Sequence, residues 1–432
     1  MRIPDTDTAA PAPDAPGLRR ARIAWCVYDW ANSAFPTVIV TFVFSAYFAS
    51  AVASDKVSGT EQWSRALAIS GLLIALISPV LGAIADRSGR RKPWLAAGSA
   101  ITIAGAALLW YVRPEAEYVI YALIVFAIAN IAFEVSQVFY NAMLPTIAPR
   151  DRLGRLSGWG WGLGYAGGLS CLMIALFAFV QGNPPLLGLQ ESSAEHVRIV
   201  GPMVAIWFAV FCIPLFLFVP DMPSAGVRPG VAAREGIATL ISTVKRVRDY
   251  RDVAWFLLAR VFYVDGMNTM FAFGGIYAVG TFDMTIAEVI QFGLALNVTA
   301  GLGAAGFAWL DDRMGAKRTI AIALTGLIAL GIPLLLVDSK LWFWIVGVPL
   351  GFFMGPAQAS SRSLMARLAP ENLRAEMFGL FASSGRATSF MGPLVLGLVA
   401  GALDSQRAGM ATIMVFLAAG LFILLLKVRE PG

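Results

Sequence analysis

The chain alternates long apolar runs with short breaks that carry nearly all of its charge. A window of about 19 residues, suited to membrane helices, marks apolar spans near 25–53, 66–86, 94–112, 118–147, 155–181, 200–220, 253–281, 286–310, 319–337, 341–369, 376–403 and 408–427. Most reach the roughly 20 residues that a helix needs to cross a bilayer core. The longest polar interruption, residues 221–252, falls between the sixth and seventh. The pattern predicts an all-α membrane protein with twelve transmembrane helices. Composition agrees, since 58% of the residues are hydrophobic, 14% are charged and the mean hydropathy is +0.71. A soluble domain of this length could not hide that much apolar surface.

The basic residues gather in alternate breaks. Arg19, Arg20 and Arg22 precede the first span; Arg87, Arg90, Arg91 and Lys92 follow the second; Arg150, Arg152 and Arg155 follow the fourth; Arg228, Arg234, Lys245, Arg246, Arg248 and Arg251 lie in the long interruption. The positive-inside rule makes these breaks, and both termini, cytoplasmic, in a multi-pass protein of the cell (inner) membrane. The formal charge of +6 is accounted for by this asymmetry and carries no nucleic-acid meaning. Residues 1–24 begin with the Pro/Ala/Asp-rich "MRIPDTDTAAPAPDAPGL" and read as a cytoplasmic disordered tail, not a cleaved signal peptide. Cys26, Cys171 and Cys212 fall in or beside spans, so no exposed pair is available for a structural disulfide.

An internal repeat divides the chain. "DRSGRRK" at 86–92 answers "DRMGAKR" at 312–318, and "YDWANS" in the first span answers "VDGMNT" in the seventh, matching Asp29 with Asp265 and Asn32 with Asn268. A third match aligns "QVFYNAMLPTIAPRDRLGRLSG" with "QASSRSLMARLAPENLRAEMFG", pairing Gln137 with Gln358 and Asn141 with Arg362. Three matches in one order, offset by about half the chain, indicate two pseudo-symmetric six-helix halves, 25–220 and 253–432, the second ending in a short cytoplasmic tail. Residues 221–252 are then a cytoplasmic basic linker.

At these residues the chain resembles a known family. "GAIADRSGRRK" is similar to the loop signature of the major facilitator superfamily, with Gly82, Asp86, Gly89, Arg90, Arg91 and Lys92 in place and a degenerate second copy around Asp312 and Gly315. "YDWANSAF", "YNAMLP", "GWGWGLGYAGG" and "FYVDGMNT" resemble the branch of vacuolar amino-acid effluxers associated with autophagy and their bacterial relatives. The resemblance implies that the first, fourth, seventh and tenth helices line a central cavity, that the Asp86 loop latches the outward-facing state, and that a monomer suffices.

Polar residues inside these spans are the candidate chemistry. A carboxylate at a helix centre costs about 2.5 to 3.5 kcal/mol on insertion scales, so Asp29, Glu134 and Asp265 should face a bundle interior and are candidates for proton coupling. Glu134, Gln137 and Asn141 share one helix face by their spacing, as do Asp265 with Asn268 and Gln358 with Arg362. Asn32, Gln137, Asn141, Asn268, Gln358, Arg362 and Arg386 are the candidate substrate-binding residues, the two guanidiniums offering a fork for an anionic group. An ion pair that only fixes packing, such as Asp29 with Arg362, is the competing reading. Asp86, Gly89, Arg90, Arg91, Asp312 and Gly315 are the candidate gating set. The glycines of "GWGWGLGYAGG" at small-x-x-x-small spacing favour close helix approach.

No nucleotide loop, zinc-binding helix motif or Cys-x-x-Cys occurs, so no cofactor or metal is called for, and neither an enzyme nor an ATP-driven pump is expected. The expected function is secondary active transport of a small polar solute, an amino acid or related metabolite, by alternating access, with protons as the candidate coupling ion. The alternatives are an exporter of amphipathic drugs or lipids and a non-transporting sensor or scaffold acting through the linker and tail.

Overall fold

The computed structural model describes residues 16–180, 186–245, 249–386 and 388–430. Residues 1–15, with most of the expected tail, and Arg246 and Arg248 of the linker lie outside the described residues. Among the described residues, ten helices are long and apolar enough to cross a membrane. We label the principal helices α1 (Pro16–Asn32), α2 (Lys56–Ser88), α3 (Lys92–Leu108), α4 (Val119–Ile147), α5 (Leu153–Ile174), α6 (Val200–Phe218) and α7 (Pro229–Lys245). The second half supplies α8 (Arg251–Phe282), α9 (Ile286–Gly306), α10 (Ala308–Met314), α11 (Ala316–Leu336), α12 (Lys340–Leu368), α13 (Arg374–Ser384), α14 (Met391–Ala402) and α15 (Gln406–Lys427). The start of α1 and the end of α15 lie on one side of the bundle, here called the terminal face; the opposite side is the far face.

Three features depart from the expectation. The first helix starts at Pro16, so residues 16–24 are helical where a disordered tail was expected. Proline suits a first helical turn, which needs no N–H from it, and Ala21 and Ala24 are buried against the bundle. Within the linker, α7 is an ordered helix packed on α2: Ala232 is buried, and a Cβ at Gly236 would meet the Ala83 backbone at 2.9 Å. The expected eleventh span is broken into α13 and α14. Pro393, in the first turn of α14, has no N–H to continue a ladder from α13, and its ring would clash with a preceding helical turn. The first span is irregular too. Beyond α1 the chain winds into wide π-helical turns over Phe35–Phe42, where Pro36 lacks the N–H that ordinary helix would use.

The two halves meet mainly along α2 with α13 and along α5 with α9, α10 and α12. Small residues let these backbones approach. A Cβ at Gly82 would overlap the Ala375 carbonyl oxygen, and one at Gly158 would come within 2.5 Å of the Ala304 carbonyl. The glycines of the "GWGWGLGYAGG" stretch serve the same end on the other side of α5, where Gly160, Gly164, Gly167 and Gly168 pack on α1 and its continuation.

Candidate functional site

Charged groups tie the two halves together in the terminal-face half of the bundle. Arg362 of α12 reaches across to three helices of the first half. Its Nη1 donates to Asp29 Oδ2 at 3.0 Å and to Asn141 Oδ1 at 3.4 Å, its Nε to Ser157 Oγ at 2.9 Å, and its Nη2 to the Ser157 carbonyl at 2.6 Å. The guanidinium lies 4.6 Å from the Trp25 ring centroid, and Trp25 in turn stacks on Tyr140. Arg362 is 4% exposed and Asp29 8%, so the pair is shielded from both faces. Asp29 is tolerated inside the membrane because a fixed guanidinium neutralises it.

The repeated loops build matching devices. The Asp86 carboxylate accepts the backbone N–H groups of Ala375 (3.0 Å) and Glu376 (2.9 Å), in the first turn of α13, and pairs with Arg91 at 3.2 Å. Asp312 does the same for the first turn of α5, accepting from the Arg155 N–H and Nε, each at 3.1 Å. Each carboxylate thus meets the positive end of a helix from the other half. Gly89 and Gly315 have φ of +82° and +90°, conformations that glycine takes without steric cost, and so turn each loop onto its neighbour. Arg91 also donates to the Ala142 carbonyl at 2.8 Å, whereas Arg90 is exposed on the surface.

Four acids and bases outside the candidate set complete the layer. Asp221 accepts from the N–H groups of Arg91 and Lys92 at the start of α3, and Glu430 from those of Ala316 and Lys317 at the start of α11. Arg367 joins Asp311 (2.8 Å) to Glu430 (2.6 Å). The signal for Asp221 and Glu430 was present in the repeat: "VPDMP" after the sixth span and "VREP" after the twelfth each place an acid two residues beyond a valine, with a proline after it.

Nearer the bundle centre, Arg386 lies in the break between α13 and α14 and pairs with Glu134 of α4, again across the two halves. Arg260 of α8, outside the candidate set, stacks on the Phe381 ring at 3.6 Å and donates to the Phe381 carbonyl and Ser384 Oγ. Asp265 is 3% exposed and has a different surrounding. Its Oδ2 accepts the Gly392 N–H at 2.7 Å, at the start of α14, while its Oδ1 is buried without a partner among the described residues.

A cavity of about 660 Å³ opens in the far-face half, above this charged layer. Ser33, Thr37 and Thr41 of the first span line one wall, Tyr165 and Leu172 of α5 another. Asn268 and Phe271 of α8, Asn297 of α9 and Met354 of α12 close the other side. The lining is mostly apolar, with a few hydroxyl and amide groups, as expected of a small-molecule site. Of the seven candidate substrate-binding residues, Asn268 alone lines it. Gln358 touches its wall through a 3.4 Å hydrogen bond from Nε2 to Tyr165 Oη. Asn32 is buried beneath Ser33, Gln137 lies outside the lining, and Asn141, Arg362 and Arg386 are engaged in the cross-half pairs. The spacing argument put them on one inward face; it could not say at which depth the helices converge.

Two pseudo-symmetric helical halves sealed by charged loops at one face and parted around a cavity toward the other define a transporter of the major facilitator superfamily. The chain aligns over 97% of its length with the fucose transporter FucP in its outward conformation (TM-score 0.74, 14% identity, all of that chain covered), and over 96% with the proton:xylose symporter XylE (TM-score 0.71, 14% identity, 96% covered). The family model described as "Vacuole effluxer Atg22 like" matches residues 64–155 and 150–431, and the chain belongs to that family. It is 27% identical over 416 residues to the Bacillus subtilis protein named "Uncharacterized MFS-type transporter YxiO", with 95% of each chain covered. It is also 25% identical to autophagy-related protein 22 of Kluyveromyces lactis, over 73% of this chain and 69% of that one. It is a multi-pass membrane transporter for small molecules, not an enzyme.

Proposed function

We propose that this protein carries a small amphipathic metabolite of the amino-acid class across the cell membrane by alternating access, with the terminal face cytoplasmic. The observation that carries the reading is the cavity between the two halves, closed on the terminal side by ion pairs that must part for it to open there. Sidedness rests on the arginine-rich loops of the terminal face. The mostly apolar lining, with Asn268, Asn297, Thr37 and Tyr165 as its polar groups, suits an amino acid with an apolar side chain better than a polyhydroxylated sugar. The description of the family as effluxers favours export.

In this reading Arg362 and Asp29 are closure groups and not a substrate clamp. Glu134 and Asp265 are the coupling candidates: Glu134 exchanges its Arg386 partner for a proton when the halves part, and Asp265 meets the Gly392 N–H and, among the described residues, no cation. A specific observation supports a second reading, export of amphipathic drugs or lipids: Phe42, Phe271, Met354 and Met414 all line the cavity.

The test is substrate-induced proton movement in proteoliposomes across amino acids, sugars and hydrophobic cations. A signal with apolar amino acids that disappears in Asp265→Asn or Glu134→Gln is the expected result. A response to hydrophobic cations alone would install the second reading, and uphill, pH-driven transport retained in both variants would overturn the coupling scheme.

A further inference from the structure

A second cavity, of about 820 Å³, lies on the flank of the bundle where α1, α5 and α9 meet. Its wall is apolar, and Trp159, Leu163, Val298 and Leu302 are exposed there, left for the bilayer to cover. Toward the terminal face the apolar wall gives way to Arg19, Arg22 and Arg152. Arg20, next to Arg19, and Arg150, two residues before Arg152, are exposed, and Asp151 lies 4.0 Å from Arg152 Nε. Arg22 also donates through Nε to the Ile147 carbonyl, which fixes its stem across the end of α4.

An apolar trough that ends in a cluster of arginines at the level of the membrane interface complements one kind of molecule, an amphiphile with acyl chains and an anionic head. We propose that this groove is a binding site for an anionic phospholipid, its phosphate held at Arg19 and Arg152 and an acyl chain lying between α5 and α9. Each basic residue near a membrane surface attracts anionic lipid by about 1 kcal/mol, and the apolar wall adds the chain-ordering surface that a bare basic patch lacks.

Two geometric facts give the site a consequence. The groove's walls come from different halves, α1 and α5 from the first and α9 from the second, so a seated chain bridges the seam that must open at the terminal face. Tyr165, Leu169 and Asn297 line both this groove and the central cavity, so they stand between the acyl chain and the transported solute. A lipid held there favours the state that is closed at the terminal face.

The experiment is native mass spectrometry of the full chain titrated with phosphatidylglycerol or with phosphatidylcholine of the same acyl chains. The comparison is with Arg19→Gln/Arg152→Gln, and with Val298→Trp, which fills the trough without changing charge. The expected result is preferential retention of phosphatidylglycerol by the native protein, about 30-fold weaker after loss of the two arginines, at about 1 kcal/mol for each, and also weakened by Val298→Trp. Equal retention of the two lipids by the native protein would overturn the proposal, as would a preference that survives the double substitution. Loss of preference in the arginine variant with none in Val298→Trp would also overturn it, because the lipid would then be held by the basic surface and not in the groove.

Discussion

Replacing Arg362 by methionine isolates the buried pair at the centre of the terminal-side closure. The substitution keeps an unbranched stem near Trp25 but removes four donated hydrogen bonds, to Asp29, Asn141 and twice to Ser157. In the closed state the Asp29 carboxylate is then buried without its cation, and breaking one side of a buried pair costs about 3 to 5 kcal/mol. When the halves part at this face, water reaches Asp29 and most of that penalty disappears. The cost therefore falls on the closed state, and the equilibrium moves toward the terminal-open state by a factor of at least about 100, since each 1.4 kcal/mol is about tenfold. The assay is pulsed electron-electron spin resonance between labels at Asp151→Cys and Asn372→Cys, which sit in equivalent exposed loops of the two halves. The native protein should show mainly the short distance and Arg362→Met mainly a long one. Adding Asp29→Asn to Arg362→Met removes the orphaned charge and should restore much of the short population. An unchanged distance distribution in folded Arg362→Met protein would refute the reasoning, and so would a double variant as open as the single one.

Gly82→Val should block closure between α2 and α13, because its side chain would overlap the Ala375 carbonyl; protein that inserts and purifies normally should lose transport, and wild-type uptake would contradict the assigned contact. Gly355→Ala should destabilise the second half alone, since a Cβ there would overlap the Ala300 carbonyl between α12 and α9. Overpacking of this kind costs about 1 to 3 kcal/mol, and a melting temperature equal to wild type in detergent would count against it. Asp86→Asn and Asp312→Asn should each weaken closure less than Arg362→Met, because the one amide oxygen still accepts from a helix N–H at α13 or α5; the same spin-label pair reads the order, and an equal or larger shift would reverse the ranking. Asn268→Ala should raise the substrate KM while leaving the label distances unchanged, whereas a conformational shift without a KM change would remove Asn268 from the binding wall.

Helix positions were readable in the chain because hydrophobic runs of bilayer length admit few other structures. The halves were readable because the repeat kept Asp86 with Asp312 and Gly89 with Gly315 in register. The break between α13 and α14 was missed because an apolar run with one Arg386 in it has the same hydropathy whether or not its ladder continues through Pro393. The order of α1 from Pro16 and of α7 was missed for a related reason: both are stabilised by faces packed on the bundle, which local composition does not reveal.

Fold class, the two-half organisation and the presence of Asp29, Glu134, Asp265, Arg362 and Arg386 inside the spans were legible in the sequence itself, because burying a charge in a membrane is expensive enough that each one must have a partner or a task. Which partner each one takes was decided by the tertiary structure. Asp29 and Arg362 are 333 positions apart and meet only when α1 and α12 converge across the seam, while Asp265, in the matching position of the repeat, meets a helix end and, among the described residues, no cation. Equivalent residues thus acquired different surroundings because the two halves fold alike but close on each other unequally, and sequence spacing along a helix fixes which face a side chain shares, not the depth at which another helix meets it.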